Sequence, residues 1–397
     1  MDTVPMDTAA YVYPWDVVGD PAAADQIAGL GLSHVTLAAV YHAVRALTPR
    51  HPGHRLVVAE HTAAYYPLST ERWEQSALYP PPAAWTGGTD SFGAAVGALR
   101  AAGVGVHAWV VVNHVDLPGN AEFAVTNAYG DRYPWTLCPA RDAVQEYAVG
   151  LAGDIVELPG ITGVELEAFG WFGFEHLSAH DKTSGVRLTG AEQYLFSLCF
   201  CDGCDGAYRA GGIDPAQLRT RVRAVLDPVF AGADRPAQPD DEVAAIDALL
   251  GAELATAVKG MRDMVAERYR AAVVDTIRFA RPELAVLAHA SPQAHRYAAF
   301  TGMDATRAGL FDGLVVNCWQ GTGALTATVA ASDVPVLASL LAVDGMGGRP
   351  DTLAEQGVAA LAAGAAGLRI YHAGLAGNAG LEHIRELTAT VAKGADQ

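Results

Sequence analysis

Eight short apolar runs alternate with stretches of helical character along this chain, and that order limits its possible folds more than any other feature. The runs lie at residues 11–16, 33–41, 104–113, the stretch around 160–168, 285–291, 313–317, 336–343 and 367–371. Helical periodicity is read at 21–32, 91–102, 141–156, 243–280, 324–331, 351–363 and 380–392. Asp20 is placed to cap the first helix, with Pro21 at its first position. Several runs are continuously apolar, as strands covered on both faces should be. Eight parallel strands with intervening helices predict an α/β protein of the (β/α)8 TIM-barrel class. A doubly wound open sheet is the competitor, but no glycine-rich phosphate turn follows the first run.

The fourth run carries the chemistry. Side chains on a strand alternate between faces, so Glu165 and Glu167 point one way while Val164, Leu166 and Ala168 point the other. Two carboxylates on the inner face of a barrel strand are costly to bury without a role. Chemistry in such barrels gathers at the C-terminal strand ends. Those ends read Trp15 and Asp16, Tyr41 and His42, Asn113 and His114, Glu165 and Glu167, His289 and Ser291, Asn317 and Trp319, Asp344, and Tyr371 and His372. Aromatic faces stack on sugar rings, while amides, imidazoles and carboxylates hydrogen-bond hydroxyls. Trp15, Asp16, His42, Asn113, His114, His289, Asn317, Trp319, Tyr371 and His372 are therefore the expected substrate contacts. Glu167 has the better catalytic position. Glu165, deeper in the strand, is either a partner in catalysis or a buried support paired with Arg369 or a histidine.

Two long irregular stretches interrupt the alternation. Residues 42–88 are rich in Pro, Tyr and His and lack helical periodicity, as functional loops of this length do. Residues 169–284 form an insertion after the fourth strand, within a single barrel domain spanning 1–397. It holds Glu175, His176, His180 and Lys182, which are either substrate contacts or a solvated face. It also holds Cys199, Cys201 and Cys204. With Cys138 upstream, four thiolates are available to close a tetrahedral zinc site; the alternative is buried thiols without metal. Cys318 reads as a small core residue.

The chain has 397 residues, 51% of them hydrophobic, and a formal net charge of −18. Such a charge repels phosphate backbones and anionic membranes, so neither nucleic acid nor a membrane is an expected partner. Residues 1–10 carry no basic cluster or apolar run, and no stretch is long enough to span a bilayer. Five cysteines in this length do not make a disulfide framework. A cytoplasmic protein is expected, with a homo-oligomer left open.

Cys138–Pro139 before a helix, a Glu-bearing fourth strand and then Cys-x-Cys-x-x-Cys together resemble the zinc cluster of glycoside hydrolase family 42 β-galactosidases. The motif resemblance covers roughly residues 104–204. It implies a structural Zn2+ on Cys138, Cys199, Cys201 and Cys204, a small carbohydrate or glycoside as substrate, and Glu167 as acid/base. Two positions depart from that family's pattern. Leu166 precedes Glu167 where the family has Asn, and Asp344 stands where its strand-seven Glu nucleophile would be. Asp344, with Asp16 as second choice, is therefore the expected opposing carboxylate. A metal-dependent isomerase or aldolase barrel, built on His42, His114, His289, His372 and Glu167, is the rival reading. A barrel that binds carbohydrate without turnover is the third.

Overall fold

The computed structural model describes residues 7–174, 181–234 and 237–395. Its strands β1 (Asp7–Val12), β2 (His34–Tyr41), β3 (Gly105–Val111), β4 (Gly163–Glu167), β5 (Ala285–Ser291), β6 (Gly313–Asn317), β7 (Val336–Leu341) and β8 (Gly367–Tyr371) follow the expected order. Each pairs in parallel with its neighbours, and β1 pairs with both β2 and β8. The sheet is thus a closed eight-stranded barrel, with helices outside it. The open-sheet competitor is excluded by the β1–β8 pairing.

The alternation in β4 holds. Val164 and Leu166 are buried in one core with Tyr269, Val273 and Ile277 of the helix Ala252–Ala280. Each such side chain contributes on the order of 1.5–3 kcal/mol on burial. Inside the barrel, Leu287, Val315 and Leu337 form a small apolar cluster. The rest of the interior described below is polar.

Three boundaries differ most from expectation. The first strand lies upstream of the expected run 11–16: β1 begins at Asp7 and ends at Val12, and Pro14, which has no N–H for the ladder, opens a 3-10 turn Pro14–Asp16. Trp15 and Asp16 therefore sit on that turn rather than on the strand. The first helix is only Ala23–Ala28; Asp20 accepts from the Ala22 N–H at 3.0 Å but Pro21 lies outside it. The 243–280 helix is two helices, Glu242–Leu250 and Ala252–Ala280, broken at Gly251.

The irregular stretch 42–88 holds a hairpin, Val44–Leu47 against Leu56–Ala59, and a two-residue strand added to the edge of β2. The hairpin residues alternate between buried and exposed at the positions that period two requires. Between β4 and β5 lie helices Gly190–Phe196, Asp202–Ala210, Pro215–Phe230, Glu242–Leu250 and Ala252–Ala280. A second apolar core sits among them and includes Cys138, Cys199, Cys201 and Cys204. Among the described residues, no helix is long and apolar enough to cross a membrane.

Candidate active site

Glu165 is wholly buried and saturated. Its Oε1 accepts from Arg369 Nε at 2.6 Å and from Thr36 Oγ1 at 3.0 Å, and its Oε2 from the Tyr11 hydroxyl at 3.0 Å. His107 Nδ1 and His289 Nε2 each lie 3.7 Å from it. Burial alone would raise its pKa, but Arg369, His107 and His289 outweigh burial and hold the carboxyl well below the usual range. Arg369, also wholly buried, reaches Asp7 Oδ2 at 2.9 Å with its other arm. The inner face of the barrel is thus built on an ion pair, and Glu165 occupies the supporting position. His107 fits only because Gly163 stands opposite it on β4, where a Cβ would lie 2.6 Å from the ring.

Glu167, one pleat nearer the mouth, has the opposite electrostatics. Its Oε2 accepts from Trp109 Nε1 at 2.8 Å and lies 3.5 Å from His289 Nδ1. Its side chain is 12% exposed, so it reaches the surface where Glu165 does not. Burial raises its pKa, and Glu165 adds to the rise; His289 and Trp109 oppose it without cancelling it. Desolvation is therefore the main cause of the upward shift, ahead of the like charge. The Tyr11 hydroxyl lies 3.0 Å from both Glu165 Oε2 and His289 Nε2. Glu165 is ionised and must accept, so Tyr11 donates to it and accepts from the His289 Nε2–H.

The chain turns sharply after Glu167. Ala168 has φ 49°, a left-handed conformation that costs a non-glycine residue about 1–2 kcal/mol. Its N–H bonds to Ala299 O at 2.9 Å and its carbonyl accepts from Asn113 N at 3.1 Å. The Asn113 amide oxygen accepts from Gly170 N at 3.2 Å and the Tyr269 hydroxyl at 2.9 Å, and its Nδ2 donates to Leu137 O. Asn113 thus holds the loop behind Glu167, and its amide is committed to protein.

The other expected contacts divide by depth. Trp15 and His372 are closed off from solvent, Trp15 being packed against Tyr65 and Trp85. His372 stacks on Tyr13 at 4.4 Å, and its Nδ1 accepts from Gly374 N at 3.0 Å. These two, like Asn113, are fully buried. Asp16 is likewise buried, accepting from Tyr13 N at 2.8 Å, and burial pushes its carboxyl up to about 7. Asn317, Trp319 and Tyr371 are part-exposed; Trp319 and Tyr371 lie 5.2 Å apart and form an aromatic platform. Asp344 is exposed and opens a 3-10 turn, Asp344–Met346, whose closing Gly347 N–H returns to its carbonyl. Cys318 is buried, its thiol pushed up to about 12 by desolvation, as a core residue. Glu175, His176 and His180 lie outside the described residues, and Lys182 is exposed.

Sequence reasoning passed over Trp109, Tyr11, Thr36 and Asp116. The first three were legible in principle, since period two turns them to the face that carries Glu165, as the register pairing of Trp109 with Glu165 reflects. The ligands of the rival metal reading do not converge as one set: His42 and His114 come together, but with Asp116. Among the described residues, no group of three metal-ligating side chains includes His289, His372 or Glu167.

The four cysteines do converge. All are buried and unpaired, and their sulfurs lie within 4.8 Å of one another. Cys138 Sγ is 3.4 Å from Cys204 and 3.6 Å from Cys201. Sulfurs about 2.3 Å from a tetrahedral zinc stand about 3.8 Å apart, so the spacing fits an ion and is far too long for a disulfide. Thr126 N donates to Cys199 Sγ at 3.3 Å, the kind of bond that steadies a thiolate. Helix Asp202–Ala210 closes on the 138–140 segment only because residue 203 is glycine; a Cβ there would stand 2.3 Å from Ala140 O.

No family model matches the chain, and no curated protein matches it in sequence. Solved structures do. The PgaB (BpsB) glycoside hydrolase domain from Bordetella bronchiseptica matches with TM-score 0.60 and 15% identity, over 97% of this chain and 99% of that one. The catalytic domain of β-amylase from Paenibacillus polymyxa matches with TM-score 0.57 and 11% identity, over 98% and 99%. A catalytic mutant of Gan42B, a GH42 β-galactosidase from G. stearothermophilus, matches with TM-score 0.54 and 11% identity, over 98% of this chain but 57% of that one. Over nearly its whole length the chain therefore shares the (β/α)8 fold of glycoside hydrolases.

Proposed function

We propose that the protein is a glycoside hydrolase in which Glu167 protonates the leaving oxygen. The observation that carries this reading is a carboxyl at the barrel mouth whose pKa burial raises, one pleat above a carboxyl whose pKa an arginine lowers. Glycoside cleavage needs one carboxylic acid still protonated near neutral pH and a second carboxylate for the oxocarbenium-like centre. Glu165 is the fixed anion beneath, and the Trp109 indole N–H holds the carboxyl of Glu167 in place. Asp344, on the 3-10 turn three residues beyond β7, is the proposed opposing carboxylate. Asp16 is less suited, because a carboxyl near 7 is part-protonated where a base must be charged. Trp319 and Tyr371 would stack a sugar ring, and Asn317 would bind its hydroxyls.

Screening a panel of aryl glycosides tests the activity. Hydrolysis of at least one supports it; sugar binding with no turnover would favour the non-catalytic barrel. The pH profile tests the acid. A general acid must be protonated, so kcat/KM should fall as pH rises through the pKa of Glu167, with that limb above the ordinary glutamate range. Trp109 Nε1–H stabilises the charged form, so Trp109→Phe should raise the pKa further and move the limb to higher pH. A limb that stays put or moves down would assign it to another group.

We also propose that Cys138, Cys199, Cys201 and Cys204 hold one Zn2+, which would tie the 138–140 segment to helix Asp202–Ala210. A closed four-sulfur site supplies folding energy rather than catalysis. Elemental analysis should find about one zinc per chain, lost in Cys201→Ser together with several kcal/mol of stability. Metal-free protein of unchanged stability would reject the site.

A further inference from the structure

Beside the barrel mouth lies a cleft of about 630 Å³, walled on one side by the hairpin residues Val44 and Arg45 and lined by His42, His114 and Asp116. Ligand atoms of those three side chains lie within 4.8 Å of one another. Their convergence follows from topology. His42 directly follows β2, His114 and Asp116 lie just beyond β3, and β2 and β3 are hydrogen-bonded neighbours.

The surroundings hold the three groups in place. Thr62 and Asp116 exchange bonds, Asp116 N donating to Thr62 Oγ1 at 2.7 Å and Thr62 N to Asp116 O at 3.1 Å. Asp116 Oδ2 accepts from Ala43 N at 3.2 Å. The His114 ring stacks on Phe172 at 4.7 Å and lies tilted against the His42 ring, with centroids 4.2 Å apart. His42 Nδ1 lies 2.7 Å from Ala43 O, so Nδ1 carries a proton and donates to that carbonyl, which leaves Nε2 as the ring's ligand atom. Anchoring one ring nitrogen on a backbone carbonyl is how metal-ligating histidines are oriented. Glu60 and Asp181 also line the cleft and add negative charge that draws cations.

We infer that His42, His114 and Asp116 form a second metal site, for a divalent first-row transition ion such as Zn2+ or Co2+. Two imidazoles select these ions over Mg2+ and Ca2+, and three protein ligands leave positions open to the cleft. The site borders the candidate acid. The Tyr41 ring lies 4.2 Å from His42 and 4.6 Å from Trp109, whose indole N–H reaches Glu167. An ion here is placed to take hydroxyl or carboxylate oxygens of whatever occupies the cleft. The inference stands on ligand geometry and does not rest on glycoside cleavage.

The test is titration of chelator-treated full-length protein with Co2+ alone, read by elemental analysis and visible absorption. A tetrathiolate cobalt site gives intense sulfur-to-metal charge-transfer bands, whereas a histidine–carboxylate site gives only weak ligand-field bands. Wild type should show the weak bands whether or not the cysteine site fills. His42→Ala and Asp116→Asn should each remove those bands, lower the stoichiometry by one and weaken that site by at least the roughly 10–100-fold that loss of a ligand's outer partner costs. Asp116→Asn keeps an oxygen for Ala43 N and so guards against loss through misfolding. Cys201→Ser should remove only the charge-transfer bands. Wild type without a histidine-type cobalt spectrum, or both variants with wild-type stoichiometry and spectrum, would overturn the site.

Discussion

Replacing Glu167 by glutamine is expected to lower kcat on an unactivated glycoside by about 10²–10⁴-fold, the usual contribution of a positioned general acid. The amide keeps the size of the carboxyl and still offers an oxygen to Trp109 Nε1, so fold and sugar binding should persist. Loss of kcat with little change in KM is therefore the signature, because the lost interaction belongs to the transition state. Near-normal hydrolysis by Glu167→Gln would place the acid elsewhere.

Replacing Arg369 by methionine is expected to destabilise the fold by about 3–5 kcal/mol, since it leaves the buried Glu165 charge without its cation. The Tyr11 and Thr36 hydroxyls remain, but neutral donors do not replace a guanidinium at 2.6 Å. The double variant Arg369→Met with Glu165→Gln should recover part of the loss, because no uncompensated charge remains. The pH dependence carries the same sign information. In wild type the Glu165 pKa is depressed, so its contribution is complete above the ordinary carboxylate range and is lost only as pH falls through the lower folded value. Without Arg369, burial dominates and raises that pKa; the folded state then binds the extra proton, and stability falls as pH rises. The gap between Arg369→Met and wild type in denaturant melts should therefore widen from acid to neutral pH. A gap independent of pH, or no recovery in the double variant, would mean that the ion pair does not hold the interior together.

The barrel was legible because its strands are apolar runs, and β5, β6 and β8 fall on the expected residues. β1 shows where that signal stops: Pro14 ends the ladder inside an apolar stretch, and moves Trp15 and Asp16 onto a turn. The hairpin in 42–88 is short and half exposed, with its alternation hidden among Pro, Gly and His. The opposite facing of Glu165 and Glu167 against Val164 and Leu166 follows from period two alone. Their opposite electrostatics do not, because Arg369 reaches Glu165 from a strand 204 residues away. Depth within the barrel was equally hidden: nothing in the sequence showed that Asn113, Trp15 and His372 are wholly buried. The cysteine cluster was visible through its local spacing. The His42–His114–Asp116 group was not, since only the side-by-side pairing of β2 and β3 brings it together.

The central claim is that Glu167 delivers a proton to the departing oxygen, and a leaving-group series tests it most directly. The rates of wild type and Glu167→Gln would be compared on aryl glycosides of one accepted sugar, with phenols of increasing pKa. Acid assistance should make the wild-type rate nearly independent of the phenol, while the variant slows steeply as the phenol becomes more basic and approaches wild type on the most acidic one. Parallel dependences in the two proteins would contradict the account.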